Sequence, residues 1–530
     1  MRRFQLLKRS QSSAATLLLV LATLLPFGSA ARADEKMAEV GSASVRSLNE
    51  LAALAKSIGV ELPPFLTAQG IEQQFAFFGQ NGLDPDKPIG ILMFSRSGWN
   101  IEQGQGVVFV LPAKPDAAPL STFVNAGGKP VEGHADAVTL NGVVFRRTAD
   151  DLIFSPSGDA ALAADPAKLA AQFKANPIGP DKGPIARLVV DVDAMRTVQP
   201  EQFKVFIDNI RQSSPAKDDA ERLGQNLVVN FVEHLNRLDL TLGQHEKNVV
   251  VKLAVAPANV PAPGQFSKPG MPSDTVARVD IAASPLKLVP TLDTFLQQFA
   301  RAIPLQDGKP GDAEQSRQVA TFLREAADTL LGGQAVSLGV TSAGKQNVVY
   351  LVEQQPLPDL EGRIKKFVDD FNSLSEKLDK PGERSSIARE SYSEEGGVPV
   401  WRLKLLNKDA PQGYIDIAQK GSNAYISISE DAEHHLAAVM NLAPAGEMRG
   451  LARGEVKLDQ AFAAAKASPD SGLSKMPADR LQALEDMVKG RLVHFAADGQ
   501  ADAIVFTVAL PEDLVKQLVE MIQPNGGGPK

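Results

Sequence analysis

The chain has 530 residues, with 55 lysine and arginine against 63 aspartate and glutamate, a net charge of −8, and no cysteine. These facts exclude disulfides, thiol catalysis, cysteine-held metal and a lipid-anchored cysteine, and an acidic balance disfavours nucleic acid and anionic headgroups as partners. The length implies two or more domains, each able to bury a sizeable core.

The first residues follow the three-part pattern of an export signal. Arg2, Arg3, Lys8 and Arg9 precede an apolar run from Ala14 to Phe27, which is too short for a membrane span of about 20 residues. Ala31-Arg32-Ala33 then fits a cleavage site, placing the cut between Ala33 and Asp34 and predicting a secreted or periplasmic protein with no integral membrane segment. Removing residues 1–33 takes away five basic residues and no acidic ones, so 50 basic face 63 acidic residues in the remainder, a charge of −13.

Four segments share one order: a short strand, one or two amphipathic helices, a strand, a turn, and a strand that ends at proline. The closing strands are Val107–Pro112, Val251–Pro257, Val349 to Glu353 before Pro356, and Val505–Pro511. Proline ends a strand because it cannot donate to the ladder. Three opening strands begin with Ala186-Arg187, Ala277-Arg278 and Ala452-Arg453, each followed six residues after the arginine by a residue suited to cap a helix: Asp193, Ser284 and Asp459. In the first copy Ser47 and Glu50 have capping-box spacing. Helical periodicity is expected for Leu223, Leu227, Phe231 and Leu235, and for Leu481, Leu484 and Val488 before Gly490.

An insert lies between the first and second modules and another between the third and fourth. Each holds a helix, most clearly Leu360, Ile364, Phe367, Phe371, Leu374 and Leu378, then hairpins such as the one turning at Asn141-Gly142, and a short helix near Asp165 or Asp431. Alternation of Leu238, Leu240 and Leu242 with Asp239 and Thr241 predicts one apolar and one solvated sheet face. The predicted class is α+β, with antiparallel sheets covered by helices on one face, arranged as two pseudo-repeats of module–insert–module. The boundaries read 1–33 signal peptide, 34–256 first repeat, 257–274 proline-rich linker, 275–522 second repeat and 523–530 flexible tail. The charged stretch Asp379 to Gly397 reads as a solvated loop.

No motif specifies a chemistry. Gly339 to Gln346 approaches a phosphate-binding loop, but Gln346 stands where a hydroxyl must hold magnesium and a strand follows instead of a helix. Ser342 with Lys345, and Ser214 with Lys217, have serine–lysine spacing in turns rather than on a helix. Asp191 and Asp193 are the weak catalytic candidates, two carboxylates at i and i+2 on one strand face, with capping as the competing role of Asp193. The six histidines show no i, i+4 or His-x-His pair, and His434-His435 reads as a surface pair at a helix start, so no metal site and no cofactor is expected. Trp99, in a glycine-rich turn, is a candidate contact residue. The functional expectation is a non-catalytic envelope binding or scaffold protein, its partner an envelope protein or an apolar ligand. The alternative is an extracytoplasmic hydrolase with a carboxylate or serine site.

Overall fold

The computed structural model describes residues 37–75, 82–96, 106–175, 178, 183–212, 229, 232–257, 264–282, 313–331, 333–343, 346–355, 358–378, 385–394, 397–407, 410–467, 473, 476–500 and 503–522. Ala33, Asp34 and Trp99 lie outside them, as do Ser214, Lys217, Ser284, Lys345 and the tail 523–530. The chain divides into two compact units, one of residues 1–214, 231–258 and 507–530 and the other of 215–230 and 259–506. Both are α+β. No helix among the described residues is long and apolar enough to cross a membrane.

The first unit contains β1 (Ala38–Val45), β2 (Ile89–Ser95), β3 (Val107–Pro112), β4 (Lys129–Val131), β5 (His134–Leu140), β6 (Val143–Arg147), β7 (Asp151–Ser155), β8 (Ala186–Asp191), β9 (Leu235–His245) and β10 (Asn248–Pro257). All pair antiparallel in the order β10-β9-β8-β1-β2-β3-β7-β6-β5-β4. The turn Asn141-Gly142 has φ of 51° and 79°, the left-handed pair that joins two twisted strands with least strain. Leu235 opens β9 instead of closing a helical stripe, because its segment is recruited by β8 and β10.

The second unit contains β11 (Gly264–Ser267), β12 (Thr275–Ile281), β13 (Ala335–Ala343), β14 (Gln346–Gln354), β15 (Ser385–Glu394), β16 (Val398–Asn407), β17 (Ala410–Lys420), β18 (Asn423–Ser429), β19 (Glu447–Gly450), β20 (Ala452–Lys457) and β21 (Leu492–Gly499), while β22 (Ile504–Pro511) runs up to the helix Glu512–Ile522. Its order is β21-β20-β12-β13-β14-β18-β17-β16-β15, matching the first unit strand for strand from β9 to β4. Two stretches expected as loop or linker are strands. Ser385–Glu394 pairs with β16 along its whole length, and Gly264–Ser267 pairs with β19 inside the proline-rich stretch.

Helix starts and stops follow local chemistry. Ser47 accepts the Glu50 N–H at 3.2 Å and caps the helix Leu48–Ser57, while the Glu50 carboxylate turns to Arg46 at 2.7 Å instead of closing the box. The helix Ala478–Val488 stops before Gly490, whose φ of 65° reverses the chain.

The expectation of a sheet covered on one face is corrected: both faces are covered. In β3, Phe109 and Leu111 pack toward the helices Leu48–Ser57, Ala68–Gln74 and Leu120–Asn125, whereas Val108 and Val110 pack with Ala160 and Leu169 of the helices Gly158–Ala163 and Ala167–Ala175. Strand β14 divides likewise, Leu351 facing Leu360 and Ile364 of the helix Leu360–Leu378 and Val348, Tyr350 and Val352 facing Leu436 and Val439. Each large aliphatic so enclosed contributes about 1.5–3 kcal/mol.

The polar strand face is the more deeply buried one. Asp239 and Thr241 are buried while Leu238, Leu240 and Leu242 are half-buried. Burial is tolerable because the charges are paired: Arg187 donates from Nε to Asp239 Oδ1 at 2.8 Å and from Nη2 to Oδ2, and Ser42 donates to Gln172 above them at 3.2 Å. In the second unit Arg278 holds Asp280 at 2.8–3.0 Å, Ser337 donates to Asp280 at 2.6 Å, and Arg278 Nη2 reaches the Pro269 carbonyl at 2.8 Å.

Removing one partner strands a buried charge, so Asp239→Ala should destabilise the first unit by about 3–5 kcal/mol, and the paired change Arg187→Met with Asp239→Leu should recover most of that loss. Urea unfolding of the intact chain measures both. Equal losses in the single and double variants would contradict this account.

Candidate functional site

The two carboxylates of the sequence reading lie at the start of one helix. Asp191 is the last residue of β8, and its Oδ1 accepts the Ala194 N–H at 2.8 Å, capping the helix Val192–Val198. Asp193 therefore sits within the first helical turn, 65% exposed and 3.4 Å from Arg196. The cap falls on Asp191 because β8 pairs with β9 through that residue and the chain turns helical directly after it. Asp459 is likewise inside a helix, Leu458–Ala467, with its carboxylate accepting the N–H groups of Gln460 and Gly490.

A constellation that spacing did not reveal lies in the second insert. Arg402 of β16 stands directly opposite Asp416 of β17, on the face where Val400 and Ala418 are buried. Its Nε and Nη2 each donate to Asp416 at 2.7 Å, a bidentate pair with both side chains buried. The guanidinium carbon lies 5.3 Å from the Tyr392 ring centre and 5.2 Å from that of Tyr414. Tyr392 donates its hydroxyl to Asp416 Oδ2 at 3.0 Å, and burial together with the Asp416 charge pushes this phenol well up.

The remaining guanidinium hydrogens leave the sheet. Nη1 donates to the Ala432 carbonyl at 2.7 Å and Nη2 to that of Glu433 at 2.9 Å, so the buried ion pair straps down the segment after β18. On that segment Asp431 Oδ1 accepts the Glu433 N–H at 2.9 Å and lies 2.7 Å from His435 Nε2. The ligand atoms of Asp431, Glu433 and His435 all stand within 4.8 Å of one another. The surface reading of the histidine pair agrees with His434, which is exposed, and is corrected for His435. His434 packs on Tyr392 with ring centres 4.0 Å apart, His435 is 15% exposed at its side chain, and helix begins only at Ala437, because the Arg402 strap holds residues 432–433 in a bend.

A second feature is an open groove of about 450 Å3 between the helices Ala313–Leu331 and Leu360–Leu378. Phe322 and Phe367 stack at its base with centres 5.3 Å apart. Asp328, Asp359, Asp370, Glu325, Arg363 and Lys366 ring it. Lys366 reaches Asp370 at 3.0 Å and also Glu325, and these carboxylates hold its ammonium above the ordinary lysine range.

Beneath these helices Glu353 is fully buried, opposite Val336 of β13 and Ala424 of β18, in an apolar cluster with Leu351 and Ile426. One carboxyl oxygen accepts the Gly333 N–H, the other has no partner among the described residues, and desolvation raises its pKa from 4.5 to about 7. Such a value suits a general base, but an enclosed carboxyl meets no substrate. The consequence is for stability. The folded state favours the protonated acid, so stability present below about pH 4.5 is lost as pH rises through about 7, by about 3 kcal/mol in all. Glu353→Gln, which keeps the acceptor for Gly333, should flatten this dependence and stabilise the protein at alkaline pH. Denaturant midpoints across that range measure it, and an unchanged slope in the variant would refute it.

Compared with protein-family models, curated proteins and solved structures, the chain matches none.

Proposed function

We propose that this chain is an exported, non-catalytic binding protein of the cell envelope, built twice on a module–insert–module plan, which engages an envelope protein through the groove between Ala313–Leu331 and Leu360–Leu378. The observation that carries the reading is the contrast between this groove and the perturbed groups. The groove is open, with stacked aromatic rings at its base, while Glu353 is enclosed and the Tyr392 hydroxyl is committed to Asp416. Four carboxylates and two cations around the groove suit a protein segment carrying basic and aromatic side chains better than a lipid, whose tails would desolvate those charges at a cost. The matching strand orders support duplication, and the basic, apolar and small-residue succession before Asp34 supports export.

Two measurements test this reading. Cells making the full chain should carry it outside the cytoplasm with Asp34 as first residue, and recovery in the cytoplasm with residues 1–33 attached overturns the export half. Native mass spectrometry of the exported protein should show a bound polypeptide that Asp370→Lys removes, with stability changed by no more than about 1 kcal/mol because the pair it breaks is exposed. A bound lipid, or no bound mass in either protein, overturns the binding half.

A further inference from the structure

The segment that Arg402 straps in place does more than cover the sheet. The corresponding place in the first unit shows what covering alone requires. There, Arg146 of β6 holds Asp136 of β5 at 2.8 Å, and its Nη1 donates to the carbonyls of Leu162 and Ala164 at 3.2 and 3.0 Å. This is the same device as in the second insert, with the arginine and aspartate exchanged between the paired strands. The covering stretch in the first unit is the short helix Gly158–Ala163, and its buried side chains are alanines. Among the described residues no trio of carboxylate and imidazole ligand atoms converges there.

At the matching place in the second unit, two carboxylates and an imidazole point to one spot. Closure does not need them there. Bringing two carboxylates together is electrostatically unfavourable unless a cation lies between them. His435 Nε2 stands 2.7 Å from Asp431 Oδ1, but among the described residues the Glu433 carboxylate has no hydrogen-bond partner, although it stands within reach of both. The backbone that carries all three is held from outside the cluster by the buried Arg402–Asp416 pair and by Ser429, which donates to the Asp431 carbonyl at 3.1 Å.

We propose that Asp431, Glu433 and His435 form a binding site for a divalent transition-metal ion of the zinc class. An imidazole with two carboxylates is a donor set for zinc, cobalt or nickel, whereas magnesium and calcium take oxygen ligands alone. Ligands of a tetrahedral zinc ion stand roughly 3.3 Å apart. The Asp431 to His435 separation of 2.7 Å must therefore open by a few tenths of an ångström, and the Glu433 carboxylate, within 4.8 Å of both, must draw to about the same spacing. Side-chain rotation does both while the strapped backbone stays in place. The ion replaces the contact between His435 Nε2 and Asp431, and a hydrogen carried on Nε2 leaves to solvent as a proton. Three protein ligands leave a fourth position for water.

Calorimetric titration of the full chain with zinc chloride near neutral pH should show a single high-affinity site, and cobalt should give the visible absorption of a tetrahedral complex. His435→Ala should weaken zinc binding at least about tenfold and abolish the cobalt band, and calcium in large excess should not displace zinc. Glu433→Gln changes an exposed side chain with no hydrogen-bond partner among the described residues, so it should keep the wild-type melting temperature while weakening zinc binding, which separates loss of a ligand from loss of fold. Wild-type protein that binds no zinc above the background of scattered histidines overturns the proposal. A Glu433→Gln or folded His435→Ala variant that binds as tightly as wild type overturns it equally.

Discussion

The buried arginine–aspartate pair is the interaction on which the sheets of both units depend. Arg187 with Asp239, Arg278 with Asp280 and Arg402 with Asp416 occupy strand faces from which water is excluded. A charge there is tolerated only when it is opposed and its hydrogen-bonding capacity is filled. Bidentate geometry meets both conditions for the carboxylate; the antiparallel register sets Arg402 opposite Asp416 and Arg187 diagonal to Asp239, while Arg278 and Asp280 are two residues apart on one face of β12.

A guanidinium carries more donors than one carboxylate can use, and the fold uses the remainder to attach its outer layer. Arg187 reaches the Gln172 carbonyl, Arg278 that of Pro269, Arg146 those of Leu162 and Ala164, and Arg402 those of Ala432 and Glu433. In each case the carbonyl belongs to a segment lying over the strand face, so the residue that makes the sheet polar also fastens what buries it. This explains how a proline-rich stretch with little apolar surface packs in the second unit: Pro269 is held by Arg278, and Gly264–Ser267 by the ladder with β19. The same economy places the 431–435 segment, where Arg402 holds the backbone and the side chains of Asp431, Glu433 and His435 take no part in the strap.

Much of the layout was legible along the chain. Continuous apolar runs ending at proline marked β3, β10, β14 and β22, Asn141-Gly142 marked its hairpin, Ser47 its cap and Gly490 its helix stop, because each depends on a few neighbouring residues. Those runs also held a signal that was misread. A strand such as Val107–Pro112, apolar at every position, is covered on both sides, yet the alternating β9 pattern was taken as the rule for the whole sheet. The candidate site was barely legible. No spacing tied Arg402 to Asp416, because their pairing depends on a register set between β16 and β17, and Asp431, Glu433 and His435 converge only once residues 432–433 are bent by Arg402.

The sequence by itself determined the α+β class, the strands that close at proline, the absence of thiol chemistry and the acidic balance, since these follow from composition and local periodicity. Tertiary structure alone decided that the polar strand faces lie inside, that the helix cap falls on Asp191 and not Asp193, and that Glu353 sits in an apolar cluster. It also decided that one bent segment gathers three ligand atoms. The physical reason is common to all four. Whether a polar side chain faces water, a partner or nothing is settled by segments distant in the chain, and a charge alternating along a strand looks the same in sequence whether its face is solvated or paired and buried.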